Sequence, residues 1–360
     1  DNQTVNTTPL TYPLHGTVTL NANGTFVYMP VANYNGPDLF VYSLCDDGVP
    51  QECDSATVYI LVIPDDEETL CLQVKVLLQG PYNAGLQLMK DSLRVRGFIP
   101  TTEPYSSTPY RSGVYPNPIN GFTHYGGGGG ETIANPVAVF GVSGANAIVD
   151  WVFIELRDKN NNKLVKYTRS ALLQRDGDVV DVDGISPLCF TGLDDNQYYV
   201  VVRHRNHLGV MTANAKTLAP GGTTVDFTNG SEPEFNFGNS HPLAGPVFNY
   251  AGLSQKALTG GKRAMWYGNA NVDRKVKYQA PSDDIYTILT NVVLYPSNNT
   301  HNYNFDLGFG YYAGDVDLSG KVKLQAPGDD SYLIFQQLML YPLNPTHNYN
   351  FDVLYEQLPY

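Results

Sequence analysis

The strongest constraint on the fold is an internal duplication in the last quarter of the chain. Residues 268–306 align without gaps to residues 314–352 at a constant offset of 46, and 22 of the 39 aligned positions are identical. Each copy contains an acidic loop, the element QAP(S/G)DD, an apolar stretch and the run LYP. A repeat of this kind is one supersecondary unit that buries its apolar face against its copy. The duplication therefore predicts two loop–helix units around a shared apolar core.

The apolar stretch of each copy has the spacing of a helix. Apolar residues recur at intervals of three and four, which places them on one helical face. These positions are Ile285, Ile288, Leu289, Val292 and Val293 in the first copy, and Ile334, Phe335, Leu338 and Met339 in the second. Pro296 follows the first stretch as a stop signal. Each helix is expected to begin near the paired aspartates.

The acidic loop of the second copy matches the first seven positions of an EF-hand calcium loop. That loop supplies oxygen from positions 1, 3 and 5, a glycine at 6, a backbone carbonyl at 7 and a carboxylate at 12. Positions 1, 3, 5, 6 and 7 are Asp315, Asp317, Ser319, Gly320 and Lys321. Position 12 is Ala326, which has no side-chain oxygen, and the nearest acids are Asp329 and Asp330. We expect one of these two to complete a calcium site.

The first copy repeats the pattern with fewer charges. Its candidate ligands are Asn269, Asn271, Asp273 and the Lys275 carbonyl, with Asp283 or Asp284 as the last ligand. Arg274 stands where the second loop has glycine. Calcium affinity follows ligand charge and loop rigidity, so this site is expected to be the weaker one. The alternative for both loops is an Asp-rich turn that caps a helix without metal.

Loop, helix and duplication together, over about residues 265–342, resemble a dockerin. That resemblance implies calcium as cofactor and a cohesin-type protein receptor as partner. The 46-residue spacing and the displaced twelfth ligand depart from the family pattern. A purely structural use of calcium is therefore the competing expectation.

Residues 1–63 alternate between polar and apolar positions, as half-buried strands do. The segments GTVTL, NGTFVYMP, NYNG, FVYS and ATVYILV occur in the order typical of the bacterial cadherin-like, immunoglobulin-type repeat, which this region resembles. The resemblance implies a β-sandwich that acts as a spacer or adhesive unit. The acidic run at residues 64–69 predicts a domain boundary.

Residues 70–230 show a second set of strand patterns, interrupted by a long Pro-, Tyr- and Gly-rich insertion. They predict a second β-sandwich, followed by a linker at 231–264 and the duplicated domain at 265–360. Their general appearance resembles exported surface proteins of the Bacteroidota. The expected fold class is thus mainly β: two immunoglobulin-like β-sandwiches followed by a small dockerin-like α-helical calcium-binding domain.

Composition excludes several classes of partner. A net charge of −13 gives no basic surface for a phosphate backbone, so nucleic acid is not expected. No run of 18 apolar residues occurs, so membrane insertion is not expected. The first ten residues lack signal-peptide features, and we expect a mature extracellular chain.

The four cysteines form no CxxC pair, which favours disulfides over zinc or redox chemistry. Cys45 and Cys53 flank a turn-rich segment between two strand patterns, so a bridge between them is expected. Cys71 and Cys189 are either a second bridge or buried free thiols.

No catalytic motif such as GxSxG or HExxH is present, and enzyme activity is not expected. The aspartates between Asp176 and Gly184 are interpreted as a solvated turn rather than a catalytic pair. Strand alternation puts His204 and His207 on opposite faces, which argues against a zinc pair. Residues 126–130, all glycine, are interpreted as a flexible connector.

These features favour a structural or adhesive surface protein that assembles with other copies of itself in a filament or surface layer. Residues 1–10 are expected to add as a strand to a neighbour's sheet edge. The alternative is a binding module of a secreted degradative system. In that case the repeats dock to a receptor, or Tyr105, Tyr110 and Tyr115 stack on sugars.

Overall fold

The computed structural model describes residues 4–32, 34–63, 69–106, 121–244, 247–279, 283–325, 328–350 and 354–360. Its contacts divide the chain into two compact units, Asp1–Glu68 and Thr69–Tyr360. The boundary falls inside the acidic run that predicted it. Strands hold 32% and helices 11% of the residues, which confirms a mainly β fold.

The first unit is built from short antiparallel strands. They are β1 Thr4–Val5, β2 Gly16–Leu20, β3 Phe26–Pro30, β4 Gly36–Cys45 and β5 Cys53–Val62. β2 and β3 form a hairpin, and β1, β4 and β5 form a sheet in that order. Gly24 in the hairpin turn has a φ of 84°, a left-handed conformation that glycine adopts without strain. Phe40 on β4 is fully buried and anchors the core of this unit.

The ladder between β4 and β5 closes at a disulfide. Gly36 pairs with Val62 at one end of the ladder, and Cys45 pairs with Cys53 at the other. Since the two cysteines are directly opposite, their side chains meet, and the structure joins them. Asp38 on β4 accepts hydrogen bonds from the Tyr28 hydroxyl at 2.8 Å and from two backbone N–H groups near residue 15.

The second unit contains one large sheet. Its strands are β6 Leu70–Lys75, β9 Ile148–Asp158, β10 Val165–Gln174, β11 Asp178–Val180, β12 Leu188–Phe190, β13 Gln197–Arg203, β14 Val210–Met211, β15 Lys216–Thr217 and β16 Thr223–Asp226. The main order is β12-β6-β11-β10-β9-β13-β14, with β15 on β13 and β16 parallel to β6. A disulfide joins Cys71 on β6 to Cys189 on β12.

The central strand of this sheet is buried on both faces. All residues of β9 except the last are buried, although the strand contains Asp150, Glu155 and Arg157. A strand covered on both sides is normally a continuous apolar run. The charged positions therefore need partners inside the protein. Glu155 lies 2.6 Å from the Arg157 guanidinium and 3.1 Å from that of Arg203 on β13.

Smaller elements complete the second unit. They are the strands β7 Tyr82–Asn83, β8 Leu88–Met89, β17 Lys256–Ala257, β18 Arg263–Ala264, β19 Lys275–Val276 and β20 Leu354–Tyr355, and the helices α1 Ser92–Val95, α2 Pro136–Gly141, α3 Asp284–Val293 and α4 Asp330–Met339. The expected helices of the duplication are α3 and α4. Each begins at the second aspartate of its pair and ends before the LYP run.

The two copies share a core, as the duplication predicted. Ile288 and Val292 of α3 belong to the same buried cluster as Ile334 and Leu338 of α4. Leu318, in the second loop, belongs instead to the core of the large sheet. Residues 69–360 thus pack as one unit. The finer division into 70–230, 231–264 and 265–360 stays a prediction.

Candidate metal centre in the duplicated loops

The first aspartate of each pair starts a helix. The Asp329 side chain accepts a hydrogen bond from the Tyr332 backbone N–H. In the first copy, Asp283 accepts one from the Tyr286 N–H at 2.6 Å. A carboxylate in this position satisfies an otherwise unpaired N–H of the first helical turn. Asp283 and Asp329 are therefore used as N-caps.

The second aspartate of each pair turns back into the loop. Asp330 Oδ1 accepts from the Val316 N–H at 2.9 Å, and its Oδ2 accepts from the Lys323 N–H at 2.9 Å. Asp284 is placed the same way in the first copy, with the Lys277 N–H at 2.7 Å from its Oδ2. Of the two acids that the sequence left open, Asp330 is the one that reaches the second loop.

Three carboxylates converge in the second loop. One oxygen each from Asp315, Asp317 and Asp330 lie within 4.8 Å of one another, and no other such group of acidic, His or Cys side chains occurs among the described residues. Asp315 and Asp330 are buried, with exposed fractions of 0% and 1%. Ser319 Oγ lies 3.3 Å from both the Asp315 carboxylate and the Lys321 carbonyl oxygen. The donor set therefore consists of oxygen atoms.

This donor set fits calcium. Calcium takes six to eight oxygens from carboxylates, carbonyls and hydroxyl groups or water, whereas zinc prefers nitrogen and sulfur. Five predicted second-loop residues are brought together, and the sixth, Asp329, is used by the helix instead. The five are Asp315, Asp317, Ser319, Lys321 and Asp330.

The electrostatics of the cluster disfavour three ionised carboxylates without a cation. Burial raises the pKa of Asp315 well above its usual value, and the Asp317 carboxylate raises it further. Burial also raises the pKa of Asp330, and Asp315 and Asp317 add to the effect. A divalent cation at the centre would reverse this balance, because it turns mutual repulsion into attraction.

The lysines of the loop do not neutralise the cluster. Lys321 Nζ lies 2.6 Å from Asp306, and Lys323 Nζ lies 3.1 Å from the same carboxylate. Within the described ranges, no lysine or arginine forms an ion pair with any of the three clustered carboxylates. The Arg205 charge, outside the loop, acts to lower the pKa of Asp315, but burial and the Asp317 carboxylate outweigh it.

The backbone of the second loop is shaped around Asp315. The N–H groups of Ser319 and Gly320 donate to its two carboxylate oxygens at 2.9 and 2.8 Å. Gly320 has a φ of 80°, which favours glycine. Outside the loop, a Cβ on Gly80 would lie 2.0 Å from the Val316 carbonyl oxygen, so only glycine permits this close approach.

The first loop has the same course with less charge. Its predicted ligands are Asn269, Asn271, Asp273, Lys275 and Asp284. Burial raises the pKa of Asp284 well above its usual value, and the Asp273 carboxylate raises it further. The Asn269 side chain accepts from the Arg274 N–H at 3.2 Å. The Arg274 guanidinium lies 3.7 Å from Glu356. Two carboxylates therefore stand where the second loop has three.

The expectation that His204 and His207 lie on opposite faces is wrong. β13 ends at Arg203, so strand alternation no longer applies, and the two Nδ1 atoms lie 3.1 Å apart. His204 Nε2 lies 3.1 Å from Asp150, and His207 Nε2 accepts from the Gly80 N–H at 3.2 Å. Both rings thus use their nitrogens in hydrogen bonds, and burial lowers the pKa of each.

The aspartates between residues 176 and 184 have separate partners. Asp178 pairs with Lys75, Asp181 pairs with Arg169 at 2.7 Å, and Asp183 accepts from backbone N–H groups of its own turn. Their dispersal agrees with the interpretation as a turn.

Two expectations about the insertion need correction. Tyr105 is fully buried and its hydroxyl donates to the Trp151 carbonyl at 2.8 Å, so its ring cannot stack on a sugar at the surface. Tyr110 and Tyr115 lie outside the described residues. The glycines at 126–130 are not a free connector, because a Cβ on Gly128 would lie 2.0 Å from the Thr168 carbonyl oxygen on β10. They line a cavity of about 290 Å³ against that strand.

Sequence reasoning missed the residues that support the second loop. Arg205 and Asn206 are fully buried beside it, and Arg205 Nε lies 3.0 Å from Asp150. The available signal was Asp150 itself, a charged residue in an otherwise apolar strand pattern. Such a residue needs a buried partner, but its spacing does not say which one.

Comparison with known protein families identifies what the N-terminal region is similar to. Residues 1–61 match the family model of a bacterial Ig domain, so the N-terminal region is Ig-like and belongs to a type of module that is not catalytic. Searches of curated proteins and of solved structures found no match to the chain. No helix in the described part of the chain has the length and apolar character that crossing a membrane requires.

Proposed function

We propose that this chain is an extracellular structural or adhesive surface protein whose larger unit is stabilised by calcium at the duplicated loops. Ig domains of the matched type are often parts of bacterial surface proteins, which supports the location. The disulfides Cys45–Cys53 and Cys71–Cys189 also favour an oxidising, extracellular environment.

The observation that carries the calcium proposal is the cluster of three carboxylates within 4.8 Å, two of them buried. Burying like charges together is unfavourable unless a cation or protons compensate them. Side chains of Asp315, Asp317, Ser319 and Asp330 would hold the ion together with the Lys321 carbonyl. When bound, calcium supplies the positive charge that links loop and helix, and so favours the folded state by mass action.

The test of this proposal is calorimetric titration of the intact chain with calcium after treatment with a chelator. We expect one tight site in the second loop and a weaker one in the first. The double variant Asp315→Asn with Asp330→Asn removes two of three carboxylates and is expected to abolish the tight site. Wild-type protein that releases no heat and shows no thermal shift with calcium would refute the proposal.

Assembly with other copies is supported by an exposed strand edge in the first unit. Among the described residues β5 is the last strand of its sheet, and one face of it presents Tyr59 and Leu61, with exposed fractions of 80% and 70%. Ile63, directly after the strand, is 73% exposed. A long apolar edge strand pairs readily with another chain. β1, at Thr4–Val5, already pairs with β4 in its own chain. An incoming strand would therefore add to the free edge of β5.

Electron microscopy and light scattering would test assembly. Leu61→Glu places a charge on the exposed face of β5 and is expected to abolish filaments or layers. Leu243→Glu changes an exposed leucine elsewhere, 53% exposed, and serves as the control. Wild-type protein that stays monomeric at high concentration with calcium would refute assembly and leave the calcium proposal standing.

A second candidate is dockerin-type docking to a protein receptor, within a secreted degradative system. One observation favours it: three exposed apolar positions are kept in both copies. The pairs are Tyr286 with Tyr332, Leu294 with Leu340, and Tyr303 with Tyr349. Exposed positions without a role are free to become polar after a duplication. Calcium-dependent capture of a cohesin-type domain, lost when Leu294 and Leu340 are both changed to Glu, would support docking.

If the partner is instead a carbohydrate, the protein should give binding signals on a glycan array.

A further inference from the structure

The start of the second loop is held by a residue that lies outside the duplication. Asn206 follows β13, and its Nδ2 donates to the carbonyl oxygens of Ala313 at 3.0 Å and Asp315 at 2.7 Å. These two carbonyls flank Gly314, the first residue of the second copy. The backbone carbonyl of Asn206 also accepts from the N–H of Gly268, the first residue of the first copy, at 3.0 Å. One residue of the sheet region thus contacts the beginning of both loops.

The orientation of the Asn206 amide is fixed by its neighbours. His207 Nε2 accepts from the Gly80 N–H, so the ring hydrogen is on Nδ1, which lies 2.8 Å from Asn206 Oδ1. Oδ1 is therefore the acceptor for His207, and Nδ2 faces the loop. Asn206 is fully buried, with an exposed fraction of 0%. A buried, fully engaged amide holds its partners in one arrangement.

The segment before the loop is fixed from the same side. Arg205 donates to the Tyr312 carbonyl oxygen, and its guanidinium lies 4.2 Å from the Tyr311 ring centre. The Tyr311 hydroxyl donates to Asp150 Oδ1 at 2.6 Å, while Arg205 Nε pairs with Asp150 Oδ2. These contacts fix Tyr311 and Tyr312, directly before the carbonyl of Ala313 that Asn206 binds.

We propose that Asn206 is a positioning residue for the calcium site of the second loop. It touches no ion itself. By holding the carbonyl groups of Ala313 and Asp315, it aims the Asp315 side chain into the cluster with Asp317 and Asp330. Residues that orient metal ligands in this way typically change affinity by about 10- to 100-fold when removed. The assignment rests on the proposed calcium site.

The test is calcium titration of Asn206→Ala beside a matched control, Asn344→Ala. Asn344 is also buried, and its Nδ2 donates to the carbonyl oxygens of Leu338 at 2.7 Å and Asn348 at 2.9 Å. Both variants lose two side-chain N–H donations to backbone carbonyls and the acceptor oxygen of the amide. Asn344, however, lies beyond α4, away from the cluster. We expect the calcium dissociation constant to rise about 10- to 100-fold in Asn206→Ala, and to stay within about threefold of wild type in Asn344→Ala.

Equal affinity of Asn206→Ala and wild type would overturn the assignment, and so would an equal loss in Asn344→Ala, which would indicate general destabilisation. If Asn206→Ala does not fold, Asn206→Leu serves instead, since it keeps the approximate volume of the side chain but loses both donors. The same loss of affinity is expected there, read by terbium luminescence as well as heat. Wild-type protein that binds neither ion would refute the proposed function itself, and is recognised before any variant is made.

Discussion

The carboxylates of Asp315, at the start of the second loop, and Asp330, at the first position of α4, meet in one buried cluster with oxygen atoms no more than 4.8 Å apart. Two carboxylates that repel each other when ionised therefore lie between loop and helix. Such an arrangement is stable when a cation sits between them or when protons neutralise them.

Asp330→Asn is expected to weaken calcium binding by about tenfold or more, because affinity follows the number of charged ligands. Asp329→Asn is the matched control in the neighbouring position. Asparagine is as good an N-cap as aspartate, so helix stability and calcium affinity should both change little. Titration calorimetry on the two variants checks this. A larger loss in Asp329→Asn would mean that the wrong aspartate has been assigned.

The two loops are expected to differ in affinity. Asp284→Asn should remove only the weaker calcium site, whereas Asp315→Asn should remove the tighter one, since the first loop has two carboxylates and the second has three. Native mass spectrometry at rising calcium concentration counts the ions bound to each variant. Filling of the first loop before the second would contradict this ranking.

The buried pair Asp150–Arg205 is expected to make stability depend on pH in acid. Burial alone would raise the pKa of Asp150, but the Arg205 charge and the hydrogen bonds of His204 and Tyr311 outweigh it and lower the pKa to about 2. An unfolded aspartate titrates near pH 4. The contribution of this group is therefore full above about pH 4 and is lost as the pH falls towards about 2.

Asp150→Asn tests this dependence. Removal of one partner leaves the Arg205 charge buried, which costs about 3–5 kcal/mol of unfolding free energy at neutral pH. The difference between variant and wild type should shrink as the pH falls from about 4 to about 2. Chemical unfolding in chelator at several pH values measures it. A difference that stays constant across this range would show that Asp150 is not ionised in the folded protein.

The two disulfides are expected to act on different units. Cys71→Ala with Cys189→Ala opens a bridge that spans 118 positions, and should lower the unfolding free energy of the second unit by about 4–5 kcal/mol in the chain-entropy account. Cys45→Ala with Cys53→Ala should affect the first unit alone. Scanning calorimetry resolves the two transitions. A shift of both transitions in either variant would contradict independent units.

Gly128→Ala is expected to destabilise the second unit by about 1–3 kcal/mol, because the added Cβ overlaps the Thr168 carbonyl oxygen and the strand must shift. Gly141→Ala is the control, since a Cβ at the end of α2 meets no atom within 4 Å. Thermal unfolding of both variants checks this. Equal stability would restore the interpretation of residues 126–130 as a free connector.

Local pattern was enough to predict the two helices and the loop residues whose oxygen atoms converge beside α4. The spacing of Ile288, Val292 and their equivalents fixed the buried face of α3, and the aspartate pairs marked where both helices begin. The sequence pattern could not choose between Asp329 and Asp330. Adjacent residues at the start of a helix differ in the direction of their side chains, and that direction cannot be read from the sequence. The N-cap conformation of Asp329 makes that choice.

Contacts between residues far apart in the chain could not be predicted from the sequence. Asn206 and the Ala313 carbonyl are separated by 107 positions, and no periodicity connects them. The relative positions of His204 and His207 could not be predicted for a related reason. Strand alternation applies only within β13, which ends at Arg203. The sugar-stacking hypothesis requires an exposed Tyr105 ring, but that ring packs with its centre 4.5 Å from the centre of the Phe122 ring.

The most direct measurement is scanning calorimetry of the intact chain in saturating calcium and in chelator. At a calcium concentration about 100 times the dissociation constant, binding adds about 2.7 kcal/mol to the folded state. The transition of unit Thr69–Tyr360 should then rise by about 4 °C. The transition of unit Asp1–Glu68 should not move. Identical transitions in calcium and in chelator would contradict a structural calcium site in the duplicated loops.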